Sequence, residues 1–116
     1  ANLIHGDIVE ELMRIGSGSI HAIVAADVLV YLGNLKPLFA AVKHALARGG
    51  LFAFSVEALE AGTFQVRPSG RYAHSAGYLR ALAQEAGLEE RALRPFQPRF
   101  ERDRYIEGWL ACFRAP

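Results

Sequence analysis

Several common features are missing from this 116-residue sequence, and each absence narrows its class. Cys112 is the only cysteine, so an internal disulfide is excluded and a reducing, cytoplasmic setting is predicted. No apolar run approaches the roughly 18 residues of a membrane-spanning helix. The first residues show no basic segment followed by an apolar one, so we predict neither a signal peptide nor a membrane partner.

An excess of one charge is also missing, because 13 Lys and Arg residues nearly balance 12 Asp and Glu residues, and no block of like charges occurs. A nucleic-acid partner is therefore not expected. His, Cys and carboxylate residues lack the spacing of a metal site, and no Gly-x-Ser-x-Gly elbow occurs. The apolar fraction of 52% is enough for a core, and the length fits a single domain over residues 1–116. The sequence starts without Met, which indicates a processed or truncated product.

The first half of the chain predicts a strand–helix–strand unit. Ile20–Ala26 is a nearly continuous apolar run, which is typical of a strand buried on both faces in a parallel sheet. Apolar residues then recur at helical spacing over 35–46, with Asn34 as the N-cap and Gly49 as the left-handed cap. A second buried strand is predicted over 51–56, joined by a right-handed crossover.

The second half predicts a long loop or hairpin over 58–74, then a helix that Ser75 caps and Gly87 ends. Two final strands, 88–96 and 105–114, are predicted to pair as an antiparallel hairpin across a charged, turn-like stretch. The predicted fold class is α/β, with parallel strands and helices followed by that hairpin.

Four segments together resemble the C-terminal half of class I S-adenosylmethionine-dependent methyltransferases. Residues 23–32 are similar to the family's fourth strand and the loop after it, and 46–55 to its helix-to-strand turn, although Ala47 and Arg48 depart from the usual residues. Residues 68–75 and 107–110 resemble segments of methyltransferases associated with tetratricopeptide repeats. The resemblance implies a partial Rossmann-like fold over most of 6–116.

The Gly-rich N-terminal half of that fold has no counterpart here. Gly16–Gly18 cannot replace its loop, because a nucleotide-binding glycine loop follows a strand and opens a helix, whereas this one follows a predicted helix. The resemblance therefore implies methyl transfer from S-adenosylmethionine to an unknown acceptor in the intact protein. The chain alone is expected to be inactive.

The resemblance places four residues at the cofactor. Asp7 matches the position that binds the adenine amino group, although Asp7 is also a good helix N-cap with Glu10 as its capping-box partner. Ala25, Ala26 and Asp27 match the strand end whose backbone lines the cofactor near its sulfonium. Alternatively, the alanines pack against a helix and Asp27 bonds nearby backbone.

Five residues are candidates for the acceptor side. His74 and Tyr72 are the predicted catalytic pair, because a His can take a proton near neutral pH. Tyr31, Glu57 and Arg71 are predicted to bind substrate. A purely structural role is the alternative for three of them: core packing for Tyr31, a solvated strand end for Glu57, and a loop position for His74.

In the methyltransferase fold the fourth strand, which residues 20–26 resemble, pairs with the first strand. The first strand is missing here, so the strand at 20–26 would expose an apolar edge, and such edges pair with other chains. We therefore expect a homo-oligomer through this strand. Two other classes stay open. One is a non-enzymatic dimerisation or docking module derived from a methyltransferase. The other is the tail of a nicotinamide-dependent oxidoreductase, against which the final hairpin argues.

Overall fold

The computed structural model describes residues 8–26, 28–101 and 104–116, the side chains at 98–105 excepted. Its elements, in chain order, are α1 (Ile8–Arg14), β1 (Ile20–Ala25), a 3₁₀ turn (Leu29–Tyr31), α2 (Lys36–Ala45), β2 (Leu46–Leu59), β3 (Phe64–Val66), β4 (Tyr72–Ser75), α3 (Ala76–Ala86), β5 (Glu89–Glu101) and β6 (Arg104–Arg114).

Within the described residues, six strands form one open, mixed sheet in the order β3-β4-β2-β6-β5, and β1 also pairs with β2. The long strand β2 has two parallel neighbours on the same side: β1 beside its first part, up to the pair Ala25–Phe54, and β4 beside residues 57–59. β6 runs antiparallel along the other side of β2 and pairs with β5. The predicted α/β class and the C-terminal antiparallel hairpin are confirmed.

The core lies on one face of this sheet. Phe39 of α2 is 1% exposed, and its ring meets those of Phe52, Phe54 and Phe113 edge-on at 5.6–6.0 Å between centroids. The buried residues of α1 and α3 belong to the same apolar cluster. Alternation along each strand sends every second side chain to this face. The described helices therefore cover one face only.

The opposite face of the sheet is open and apolar. Register places Val24, Leu51 and Leu110 together on it, and they are 76%, 40% and 49% exposed. Within the described residues, β1 pairs with β2 alone, so its other edge has no neighbouring strand. The prediction that Ile20–Ala26 is buried on both faces is therefore wrong for this chain, because no described helix covers the second face.

The predicted cap of the central helix is wrong at both ends. α2 ends at Ala45, and Gly49 lies four residues later in a bulge of β2, where its φ is +82° and its N–H donates to the Ala115 carbonyl at 2.7 Å. At the start, Leu35 is the N-cap. Asn34 lies one residue earlier and accepts the Lys36 N–H at 3.1 Å.

The second half follows the prediction more closely. Residues 58–74 contain a β3–β4 hairpin, the Ser75 hydroxyl accepts the Tyr78 N–H at 3.1 Å, and Gly87 ends α3 with φ +76°. The turn predicted over residues 97–104 starts too early in the sequence. β5 continues to Glu101, because its ladder with β6 resumes after a bulge and runs past the end of β2.

Candidate functional site

The candidate site lies where the two parallel strands β1 and β2 end. β1 leads into the 3₁₀ turn that carries Tyr31, and the last residues of β2 pair with β4. Ligands of open α/β sheets bind at the carboxyl ends of the strands, next to the loops that follow them. This edge is therefore where the predicted substrate residues need to meet.

Three of those predicted residues do meet there. The Arg71 Nε donates to Glu57 Oε2 at 2.8 Å, and the side chains of the pair are 18% and 5% exposed. The Arg71 guanidinium lies 5.4 Å from the centroid of the Tyr31 ring, and its Nη1 donates to the Tyr31 hydroxyl at 3.4 Å. A buried ion pair thus holds an aromatic ring that is itself 63% exposed.

Local backbone chemistry positions Arg71. The turn before it closes through two hydrogen bonds of 2.8 Å, from the Arg67 N–H to the Arg71 carbonyl and from the Gly70 N–H to the Arg67 carbonyl. The Arg67 side chain donates to the Ala58 carbonyl at 2.6 Å and so ties this turn to the end of β2. Sequence reasoning missed Arg67, because its partner is a backbone oxygen that no residue pattern reveals.

A close contact fixes the turn that carries Tyr31. A Cβ added at Gly33 would lie 2.8 Å from ring atoms of both Phe64 and Tyr72, so only glycine lets the backbone come this near. Tyr72 is half-buried in this contact, with its ring centroid 6.1 Å from that of Phe64. Tyr72 therefore packs behind the site, and its predicted catalytic role stays a prediction.

His74 also lies behind the site, on β4 and not in a loop. It is fully buried, and its Nε2 lies 2.8 Å from the Leu32 carbonyl and 3.1 Å from the Gly33 carbonyl. Because carbonyl oxygens only accept, Nε2 carries the proton, and Nδ1 has no hydrogen-bond partner among the described residues. This geometry gives His74 a positioning role, and its catalytic role is untested.

Burial lowers the pKa of His74, and the hydrogen bonds to Gly33 and Leu32 oppose the shift. On acidification the unfolded chain therefore takes up this proton first. The contribution of His74 to stability is complete above about pH 6.5 and falls as the pH drops towards the folded pKa. We expect the native chain to lose up to about 1.4 kcal/mol per pH unit in this window.

Urea unfolding of the native chain and of His74→Gln at pH 7.5 and 5.5 measures this loss. The two proteins differ at residue 74 alone, so the difference between their pH dependences isolates His74. The same pH dependence in both would show that His74 is not held neutral.

The predicted cofactor residues are only partly within the described chain. Asp7 and Asp27 lie outside the described residues. Ala25 is 3% exposed and belongs to the core, which fits the alternative that it packs against a helix. Ala26, the residue after β1, is exposed. The link at 16–19 joins α1 to β1, an order opposite to that of a nucleotide-binding loop. The cofactor roles of all four residues therefore stay predictions.

A groove opens beside this edge, between the end of β2, the loop after it and β6. Its volume is about 660 Å³, and Trp109 lies among its lining residues. The indole Nε1 of Trp109 is buried without a partner among the described residues. No three His, Cys, Asp or Glu side chains in the described ranges come together to hold a metal ion. No helix of the described chain is long and apolar enough to cross a membrane.

Comparison by sequence finds no matching protein family and no matching curated protein. Comparison by structure does find relatives. A SAM-dependent methyltransferase from Methanosarcina mazei superposes with a TM-score of 0.68 over 87% of this chain, at 15% identity. A Burkholderia thailandensis 1,6-didemethyltoxoflavin-N1-methyltransferase, solved with bound 1,6-didemethyltoxoflavin and S-adenosylhomocysteine, superposes with a TM-score of 0.67 over 90% of this chain, at 13% identity.

The fold is therefore that of the class I S-adenosylmethionine-dependent methyltransferases. This chain spans 61% of the first structure and 48% of the second. A third relative, the cyclase SpnF, superposes with a TM-score of 0.69 over 87% of this chain and 51% of its own, at 15% identity. Because the same fold occurs in a cyclase, the fold does not by itself define the reaction.

Proposed function

We propose that this chain is the C-terminal part of a methyltransferase domain and forms the acceptor side of its active site. The observation that carries the proposal is the Tyr31–Arg71–Glu57 cluster, which lies at the carboxyl edge of a sheet with this fold. In the intact, cytoplasmic protein this part would transfer a methyl group from S-adenosylmethionine to an acceptor. Residues 68–75 resemble a segment of methyltransferases associated with tetratricopeptide repeats, and this resemblance supports placing the intact protein among them.

The cofactor would supply a methyl group already activated by its sulfonium charge, so the protein contributes mainly alignment. Asp7, Asp27 and the backbone of Ala25 and Ala26 would line it, and small side chains at a strand end leave room for a methyl group. Arg71 and Glu57 hold Tyr31 in place at the acceptor side. A proton leaving the acceptor would go to a base, for which His74 and Tyr72 are the candidates.

Calorimetric titration with S-adenosylhomocysteine tests this proposal. We expect no heat of binding with this chain alone, because the proposed residues would form only one wall of the cofactor site. We expect binding when the same chain is joined to the residues encoded upstream of it. Absence of binding by the longer protein would overturn the methyltransferase proposal.

A second candidate function is a non-enzymatic docking or dimerisation module, and the open sheet face favours it. Val24, Leu51 and Leu110 expose apolar surface on this face, and β1 has no strand at its outer edge among the described residues. Exposed edges and apolar patches both promote association. A second copy of the chain is the proposed occupant.

Sedimentation velocity tests the self-association through β1. The native chain is expected to sediment as a dimer or larger species, and Val24→Lys as a monomer, because a lysine on this face opposes pairing. Met13→Lys on α1 is the matched control, since Met13 is 51% exposed but lies away from the sheet face. A monomeric native chain would overturn the proposal.

A further inference from the structure

The exposed apolar side chains of the described residues fall into separate groups. Val24, Leu51 and Leu110 lie on the open sheet face, and Met13 lies on α1. The remaining ones lie near the ends of β1 and β2, in the segment after β1 and in the hairpin beside β2: Val28 (38% exposed), Tyr31 (63%), Phe64 (37%) and Val66 (52%). Ligands of open α/β sheets bind at the carboxyl ends of the strands, so an exposed aromatic ring at that edge is a candidate ligand contact.

Tyr31 is the most exposed of this edge group, and polar contacts fix its ring. Arg71 stacks on its ring and bonds its hydroxyl, while Glu57 holds Arg71 from the sheet. An exposed aromatic ring with a fixed orientation loses little conformational freedom when a second ring stacks on it. The ring is therefore preorganised for a flat ligand.

The charge of the cluster argues against a charged ligand. Glu57 and Arg71 form a close pair, so their charges offset each other at the ring. Two exposed residues of the hairpin beside β2, Phe64 and Val66, are apolar, and Gln65 between them is uncharged. A carboxylate would meet a guanidinium already paired with Glu57, and a cationic amine would meet a carboxylate already paired with Arg71. A neutral aromatic ring loses least by leaving water here.

We propose that the exposed ring of Tyr31, which Arg71 and Glu57 hold at the carboxyl edge of the sheet, binds a neutral, planar aromatic compound that stacks on it. The inference rests on the proposed function in so far as this compound is the methyl acceptor. A ring hydroxyl or ring nitrogen would then be the group that takes the methyl. The binding itself needs no cofactor and can be measured without one.

The probes are 2-naphthol and its saturated analogue decahydro-2-naphthol, which share a carbon skeleton and a hydroxyl group. Saturation-transfer difference NMR of the full chain is expected to show binding of 2-naphthol and at least about tenfold weaker binding of the saturated compound. Putrescine, an aliphatic diamine, is expected to show none. Equal binding of the flat and saturated compounds would overturn the proposal.

Variants locate the probe on the protein. Tyr31→Ala is expected to weaken 2-naphthol binding about tenfold, whereas Tyr31→Phe, which keeps the ring, stays within about twofold of the native chain. Met13→Ala removes another exposed apolar side chain, 51% exposed and on α1, and is expected to leave 2-naphthol binding unchanged. Unchanged binding by Tyr31→Ala, with the melting temperature preserved, would sink the assignment.

The methyltransferase proposal and the aromatic-site proposal can each be overturned without the other. If 2-naphthol binds through Tyr31 but the longer protein does not bind S-adenosylhomocysteine, the aromatic site stands and the methyltransferase proposal falls. If the longer protein binds S-adenosylhomocysteine and Tyr31→Ala leaves 2-naphthol binding unchanged, the methyltransferase proposal stands and the aromatic site falls.

Discussion

Glu57→Gln is expected to lower the free energy of unfolding by about 3–5 kcal/mol, because it removes the carboxylate that faces a largely buried guanidinium. The side chains of Glu57 and Arg71 are 5% and 18% exposed, so water replaces the lost charge poorly. Urea unfolding at neutral pH measures the effect. Glutamine keeps the size of the side chain, so the loss reports on charge and not on a cavity.

Two further variants make this result specific. Glu57→Leu combined with Arg71→Met should regain most of the lost stability, because replacing both members of a buried pair is often nearly neutral. Glu11→Gln breaks an exposed pair with Arg14 and should cost less than about 1 kcal/mol. If Glu57→Gln costs no more than Glu11→Gln, the pair does not hold the site together.

Phe39→Ala is expected to cost about 3–5 kcal/mol, a large part of the roughly 5–15 kcal/mol that stabilises a domain of this size. The ring of Phe39 is the one that α2 places against β2 and β6 together, through Phe52, Phe54 and Phe113. Its removal leaves a cavity where the helix layer meets the centre of the sheet. Chemical denaturation of both proteins checks the loss.

Leu110→Ala is the matched control for Phe39→Ala. Leu110 lies on β6 as Phe113 does, but on the open face, and it is 49% exposed. We expect a change below about 1 kcal/mol when the comparison is made in the Val24→Lys background, in which the proposed self-association is abolished. A loss as large as that of Phe39→Ala would mean that the face described as open is covered.

The sequence predicts the fold well where a pattern is local. The strand at 20–26, the helix after it and the strand at 51–56 each follow from apolar spacing, and β1, α2 and β2 confirm them. Ser75 and Gly87 are correct as caps, because side-chain and glycine caps depend on neighbouring residues alone. Gly49 is wrong, because its left-handed backbone serves a bulge held by Ala115, a partner 66 residues along the chain.

The candidate site is predictable in part. The sequence names Tyr31, Glu57 and Arg71 as substrate candidates, and the structure puts Tyr31 and Glu57 each in contact with Arg71, while their binding role stays a prediction. Burial of His74 could not be foreseen, because it depends on the pairing of β4 with β2 and on carbonyls 41 and 42 residues away. Burial is a property of the assembled sheet, and no local pattern in the sequence reports it.

The position of β6 between β2 and β5 also constrains the order in which the protein can fold during synthesis. β2 is made first, but its antiparallel partner lies more than 40 residues later, and Phe113 of that partner is fully buried against Phe39 and Phe54. While the ribosome makes the residues between them, β2 has one edge unpaired and its aromatic face incomplete. Such long-range pairing is slow to form and exposed to aggregation in the meantime. The nascent chain therefore needs protection along β2 until β6 emerges.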